Sequence, residues 1–375
     1  MPETIEDWLD LGAQDRSDLD YWLMLARLQQ SKGLSASVVE DLGGAAQVFR
    51  SSAAELSERL GTRPRTLRRL VEVEVRCDLG KEREAFARSG ATLVTVLSDQ
   101  YPVALRDLPD APACLFALGD VGVLSREAIS IVGSRSAPDS ALMDAEDLAA
   151  RIAAHGVSVV SGFAMGVDAA AHRGALREGH TVAVLGCGID VLYPTAHATL
   201  RQEVAESGVL VTEQPLGSQP RRWTFPSRNR LIAALGKGTV VVGARESSGA
   251  LLTAQWAEEL GRPVGAVPGD TRDERHRGAI ALIEKGAHLI GSADDALRMV
   301  GLDPRQTKPA TPARKPALSP TEQRVYGVLV GDPMPLDDVV TAAGMEMREV
   351  STALMLLEVK GLARRLPGGR FSRLG

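Results

Sequence analysis

Through the middle of the chain, short apolar runs recur at 129–132, 157–160, 181–185, 209–212, 239–242, 264–267 and 288–290. They are rich in β-branched residues and too short for ordinary helices, so each reads as a strand. The intervening stretches carry apolar residues three and four apart, the period of a helix with one buried face. Nearly continuous apolar strands separated by such helices predict a parallel sheet covered on both faces, a doubly wound α/β domain. The clearest unit, 157–190, reads strand, glycine loop, helix, strand. Its glycines stand where a helix N-terminus and free backbone N–H groups can meet an anion.

The flanks follow other patterns. From residue 19 to about 85 only helical spacing is seen, carried by Trp22, Leu23, Leu25, Leu28, Val38, Val39, Leu42, Leu56, Leu60, Leu67, Leu70 and Val71. Breaks at Lys32-Gly33, Gly43-Gly44, Ser51-Ser52 and Gly61 cut this region into a small all-α module. Short helices joined by glycine turns either pack as a docking module or form a helix-hairpin-helix that grips phosphates through backbone amides. Residues 91–97 read as a strand and 101–119 as a proline-punctuated approach to the α/β domain.

Beyond the sheet, LDPRQTKPATPARKPALSP has almost no large apolar residue and reads as a linker. Helical patterns at 321–330, 336–343 and 347–362, then a glycine turn between two short extended segments, predict a winged helix. Its recognition helix is mostly apolar, with few side chains able to reach base edges. Protein docking and duplex DNA binding both fit it, phosphate contact falling to Arg364, Arg365 and Arg370. The domains expected are 1–85 helical, 86–300 α/β, 301–320 linker and 321–375 winged helix.

Composition narrows the classes. A chain of 375 residues, 44% hydrophobic and 24% charged, suits two or three ordinary folded domains. A formal charge of −5 means that any nucleic-acid site is a local basic patch on an acidic body. Three scattered cysteines, Cys77, Cys114 and Cys187, imply neither a disulfide framework nor a zinc site, as in a reducing cytoplasm. The acidic start MPETIEDWLD is unlike a signal peptide, and no apolar run is long enough to span a membrane.

Four glycine-bearing loops sit at strand ends: Gly133-Ser134-Arg135, Gly162 to Gly166, Gly186-Cys187-Gly188, and Ser247-Ser248-Gly249. Neither a GxGxxG fingerprint nor a P-loop occurs, so a dinucleotide or Walker ATP site is not supported. Repetition on one sheet edge points instead to a phosphate cradle. Asp168 and His172 stand four apart on one helix, where Asp168 reads as a cap and His172 as its structural partner. No histidine spacing marks a metal site. Between Pro220 and Arg230, Arg221, Arg222, Arg228 and Arg230 interleave with Trp223 and Phe225, as a loop that binds a single strand through phosphates and unstacked bases would. The same loop could anchor itself to the core or clamp a nucleotide substrate. A nucleotide hydrolase of this fold would need a carboxylate in the first turn after the late glycine loop, and 250–257 offers none.

The ordered run of VGSR (132–135), SGFAMGVDAAAH (161–172), GIDVLYP (188–194), EQPLG (213–217), FPSRNRLIA (225–233), SGALLTA (248–254) and AVPGD (266–270) resembles the DNA processing protein A (Smf) family. The resemblance implies a Rossmann-like core that binds single-stranded DNA, dimerises and loads RecA recombinase onto DNA taken up in natural transformation, with no catalytic reaction and no cofactor. It implies a sterile-alpha-motif-like N-terminal module and a winged helix as well. Carried over by position, with the glycine loops added, the DNA-binding residues are Gly133, Ser134, Arg135, Gly162, Met165, Gly166, Arg173, Arg222, Arg228, Asn229, Arg230, Ser248 and Gly249. The chain departs from the family at Met165, where a basic residue is common, and at Thr195 and His197, so part of the phosphate contact must come from elsewhere. It departs also at Gly243, where a glutamate is common, and at His276-Arg277-Gly278-Ala279-Ile280. The enzymatic alternative is a nucleoside monophosphate hydrolase using the same loops.

Overall fold

The computed structural model describes residues 4–5, 16–29, 34–74, 78–305, 318–329, 333–360, 362–366 and 369–373. The Lys32-Gly33 break, Cys77, linker residues 306–317, the turn at Pro367-Gly368 and the Arg365 side chain lie outside that description. The chain divides into two compact units, Met1–Thr311 and Pro312–Gly375.

In the first unit, short helices α1 (Asp18–Leu28), α2 (Ala36–Leu42), α3 (Ala45–Arg50), α4 (Ala53–Arg59), α5 (Pro64–Glu74) and α6 (Leu79–Ser89) precede the sheet. Ser17 starts α1 with a capping box: its amide donates to Asp20 Oδ2 at 2.8 Å. The buried face of α1 (Trp22, Leu25, Leu28) shares one apolar cluster with Leu115 and Phe116, so the helical module and the sheet edge have a continuous core.

The strands are β1 (Thr92–Thr95), β2 (Cys114–Gly119), β3 (Ala128–Gly133), β4 (Ser158–Ser161), β5 (Thr181–Val184), β6 (Val209–Thr212), β7 (Thr239–Val242), β8 (Val264–Ala266) and β9 (His288–Leu289). Among the described residues they form one sheet in the order β1-β2-β6-β5-β4-β3-β7-β8-β9. From β6 to β9 every pairing is parallel, as the apolar runs predict. The edge differs from expectation. Residues 114–119, read as part of an approach segment, form β2, antiparallel to both β1 and β6. Prolines stop at Pro112, after which nothing blocks a ladder, and Cys114, Leu115 and Phe116 are buried.

Helices α7 (Asp139–Ala154), α8 (Val167–Glu178) and α13 (Ala293–Met299) cover one face with Ile129, Ile131, Val159 and Val240. The other face is covered by α9 (Ala198–Ser207), α10 (Thr224–Leu235), α11 (Ala250–Glu259) and α12 (Arg277–Glu284). The chain winds outward from β3 to β6, then returns to lay β7 on the opposite side of β3. That reversal opens a crevice at the carboxyl ends of β3 and β7, where doubly wound sheets bind ligands.

The second unit contains α14 (Pro320–Val328), β10 (Met334–Pro335), α15 (Leu336–Ala343), α16 (Met347–Val359), β11 (Ala363–Leu366) and β12 (Arg370–Arg373). The strands form a sheet in the order β10-β12-β11. Val325, Val339, Val350, Leu354, Leu357 and Phe371 make its own core. This is the winged helix that the sequence predicts.

Candidate nucleic-acid interface

At the switch point lies a cavity of about 640 Å³. Its floor is glycine because side chains would not fit. A Cβ on Gly133, the last residue of β3, would stand 2.0 Å from the Val242 carbonyl oxygen and 2.6 Å from Val167 Cγ2. At Gly166, where φ is +83°, a Cβ would stand 2.3 Å from the Ser134 oxygen. Close approach without side chains lets Ser134 donate its amide to the Gly243 oxygen at 3.1 Å and receive Val167 N–H on its own carbonyl at 3.2 Å. The β3 and β4 loops are thus locked together. Across the cavity, Ser247, Ser248, Gly249 and Ala250 form the wall at the N-terminus of α11. Nothing lies within 4 Å of a Cβ placed on Gly249, so this helix start faces open space.

Four guanidinium groups line the cavity, from Arg135, Arg222, Arg228 and Arg245, against one carboxylate, Asp168. Arg135 and Arg222 are exposed and form no ion pair among the described residues, although the Arg135 charge is felt by Asp168. Arg135 lies 5.1 Å from the Phe225 ring centroid, and Phe225 in turn lies 5.6 Å from Tyr193. These groups continue into a smaller apolar cleft lined by Gly162, Phe163, Met165, Leu185 and Pro194. A cationic, amide-lined pocket beside an aromatic cleft is suited to a phosphate with an unstacked base attached.

The stretch 220–230 divides. Expected as a loop, it becomes helical from Thr224, where α10 begins. Pro226 falls in the first turn, where its missing N–H costs no helical bond. The helix turns successive arginines to different fates. Arg228 is 3% exposed and donates from Nη1 to the carbonyls of Gly162, at 2.5 Å, and Val184. Burial pulls its pKa down to about 10 despite nearby Asp168. Arg230 is 6% exposed and lines neither cavity. Its fork meets Glu213 at 2.9 and 2.7 Å, and its Nε meets Asp110 at 2.9 Å. Burial opposes that charge, yet Glu213 and Asp110 more than offset it and raise the pKa. Asn229 lines the cavity and donates to the Gly249 carbonyl at 3.2 Å, joining α10 to the α11 loop.

Asp168 and His172 also part company. Burial raises the Asp168 pKa, with Arg228 opposing, and its Oδ2 accepts the Ala164 amide at 3.3 Å. It therefore braces the β4 loop rather than capping α8. The partner of His172 is Thr181, whose Oγ1 lies 2.7 Å from Nδ1, not Asp168. Burial lowers the His172 pKa to about 3, so the ring is neutral.

Of the expected residues, Gly133, Ser134, Arg135, Arg222, Arg228, Asn229, Ser248 and Gly249 line the large cavity, and Gly162 and Met165 the adjoining cleft. Gly166 underlies the floor, whereas Arg173 and Arg230 line neither space. Arg245, Tyr193 and Asp168 are additions. Arg245 follows β7 much as Arg135 follows β3, so its position after a strand was the available signal. No group of histidine, cysteine, aspartate or glutamate among the described residues is arranged to hold a metal. No helix among them is long and apolar enough to cross a membrane.

Residues 92–301 match the family of DNA recombination-mediator protein A, and 308–369 match the DprA winged helix domain. Protein Smf of Escherichia coli is 35% identical over 286 residues, covering 74% of this chain and 76% of Smf. DNA processing protein DprA of Bacillus subtilis is 38% identical over 213 residues, covering 56% of this chain and 72% of its own length. The crystal structure of DprA from Streptococcus pneumoniae aligns with a TM-score of 0.65 at 29% identity, over 80% of this chain and 98% of the other. A structure of DNA processing protein A from Helicobacter pylori, described for its single-stranded DNA binding mode, aligns with a TM-score of 0.51 at 29% identity, over 57% and 96%. With its order of motifs, switch-point cavity and both domain matches, the chain belongs to the DNA processing protein A (DprA) family.

Proposed function

We propose that this chain is a cytoplasmic recombination mediator that binds single-stranded DNA in the switch-point cavity and, as a homodimer, loads RecA recombinase onto it during transformation, without catalysing a reaction. The observation that carries the binding step is the set of four arginines against one carboxylate in a glycine-floored cavity, within a chain of net charge −5. The H. pylori relative, described for its single-stranded DNA binding mode, supports the same ligand. Arg135 and Arg222 meet phosphates as exposed charges, while the Phe225 and Tyr193 rings offer faces to unstacked bases. Arg228 shapes the floor from beneath.

Replacing Arg135 and Arg222 together by Ala is expected to weaken binding of an oligothymidylate. The slope of log affinity against log salt should flatten by about 1.4, at about 0.7 per phosphate contact on a single strand. Unchanged affinity and slope in a folded double variant would remove the cavity from the binding site. Incubation with nucleoside monophosphates tests the hydrolase reading, and release of free base that depends on Asp168 would replace the mediator by an enzyme. Recombinase filament growth on protein-coated single strands, with and without this chain, tests the loading step.

A further inference from the structure

The helical module holds a second cationic surface that the cavity does not use. From Arg59 to Arg69 the chain reads RLGTRPRTLRR, five arginines in eleven residues with no carboxylate among them. In the fold this is the end of α4, a tight turn and the first half of α5. Leu56 of α4 and Leu67 of α5 are buried, which fixes the two helices as a hairpin. The turn is closed by Gly61 N–H on the Glu58 oxygen at 3.1 Å and Thr62 N–H on the Ser57 oxygen at 2.9 Å. Gly61 takes φ +57° with nothing within 4 Å of a Cβ, so the tip of the turn faces open space.

With the apolar positions turned inward, the arginines are turned out. Arg59, Arg63, Arg65, Arg68 and Arg69 are all exposed. Arg59 is matched by Glu55 at 3.5 Å, whereas Arg63, Arg65 and Arg69 have no acidic partner among the described residues. Arg65, Arg68 and Arg69 fall three and four apart, so they share one side of α5, beside Arg63 in the turn. Arg63, Arg65 and Arg69 are thus exposed like charges held in no ion pair among the described residues, and a polyanion can neutralise them.

The chemistry of the hairpin sets it apart from the cavity. From Ala53 to Glu74 the sequence holds no aromatic residue, so the hairpin has no ring on which an unstacked base could stack. Its contacts are confined to phosphates. A duplex presents one charge per about 1.7 Å of axis, against about 3.4 Å for one strand, so a row of point charges without stacking groups favours duplex. We propose that the α4–α5 hairpin is a second DNA site that binds the sugar–phosphate backbone of duplex without reading sequence. The proposal rests on the reading that this chain handles DNA, and it gives the chain separate grips for the strand in the cavity and for adjoining duplex.

The test uses the full chain and two probes, a short mixed-sequence duplex and an oligothymidylate, titrated by fluorescence anisotropy across a salt series. In the variant R63Q/R65Q/R69Q, duplex affinity is expected to fall and its salt slope to flatten by about 2.7, at about 0.9 for each lost phosphate contact. Oligothymidylate affinity should stay within about twofold, since the cavity is untouched. The variant R63K/R65K/R69K should restore the duplex slope, because a phosphate-only contact requires charge and not the guanidinium fork. Unchanged duplex affinity and slope in the glutamine variant would overturn the proposal, as would a lysine variant as weak as the glutamine one. The cavity reading fails by a different result, an oligothymidylate that the wild-type chain does not bind or that it binds equally well without Arg135 and Arg222.

Discussion

Arg230 and Arg228, two positions apart on one helix, illustrate what residue identity leaves undecided. As letters in RRWTFPSRNR all four arginines are equivalent phosphate ligands. Their fates depend on Glu213, supplied just beyond β6, and on the carbonyls of Gly162 and Val184, supplied by β4 and β5. Those partners are distant in sequence, and no local pattern announces them. The Arg230–Glu213 pair is buried on both sides, at 8% and 6% side-chain exposure. Removing one partner therefore strands a charge in a low-dielectric site. Arg230→Ala is expected to cost about 3–5 kcal/mol in urea unfolding, chiefly as the penalty on Glu213. Pairing it with Glu213→Gln should recover most of that loss. If the single variant unfolds like wild type while losing DNA affinity, Arg230 is a ligand contact and its structural role is refuted.

At the scale of elements the sequence was most legible where burial is uniform. The parallel strands from β3 to β8 are mostly apolar and almost wholly buried because both faces are covered, and their short β-branched runs mark them directly. Legibility fails at β2, whose ladder begins two residues after Pro112, and at α10, whose N-cap is Trp223 and whose first turn holds Phe225 and Pro226. In both places tertiary pairing overrides the local signal. The repetition of the glycine loops suggests a cradle, but the structure separates two kinds of glycine among them. Gly133 is required by packing, since its Cβ would collide with the β7 backbone. Gly249 stands in free space with helical φ −60°. Gly133→Ala is expected to destabilise by about 1–3 kcal/mol or more, because the colliding atom is a backbone oxygen in the sheet. Gly249→Ala should leave the unfolding midpoint unchanged. Equal midpoints for the two variants would mean that β3 and β7 can separate at their carboxyl ends, and the cavity floor would not be rigid.

For the whole molecule, the charge of −5 excluded general affinity for polyanions, and the structure distributes the exceptions. Cationic groups gather at the switch-point cavity and the α4–α5 hairpin, while the recognition helix α16 exposes Met347, Met355 and Leu356. That helix offers the major groove few hydrogen-bonding groups, while Arg348 at its start and Arg370 of the wing are exposed cations able to meet phosphate. The winged helix closes its own core around Val350, Leu354 and Phe371 and is a separate compact unit. Sites on separate units without shared partners contribute additively to within about 0.3–0.5 kcal/mol. A chain ending at residue 311 is therefore expected to bind oligothymidylate within about twofold of the full chain, and to keep its duplex affinity through the hairpin. Anisotropy titrations of the two chains on both probes decide this. A tenfold loss on duplex alone would make the wing arginines the principal duplex grip and the hairpin secondary, whereas a tenfold loss on the single strand would extend the strand's track from the cavity onto the winged helix.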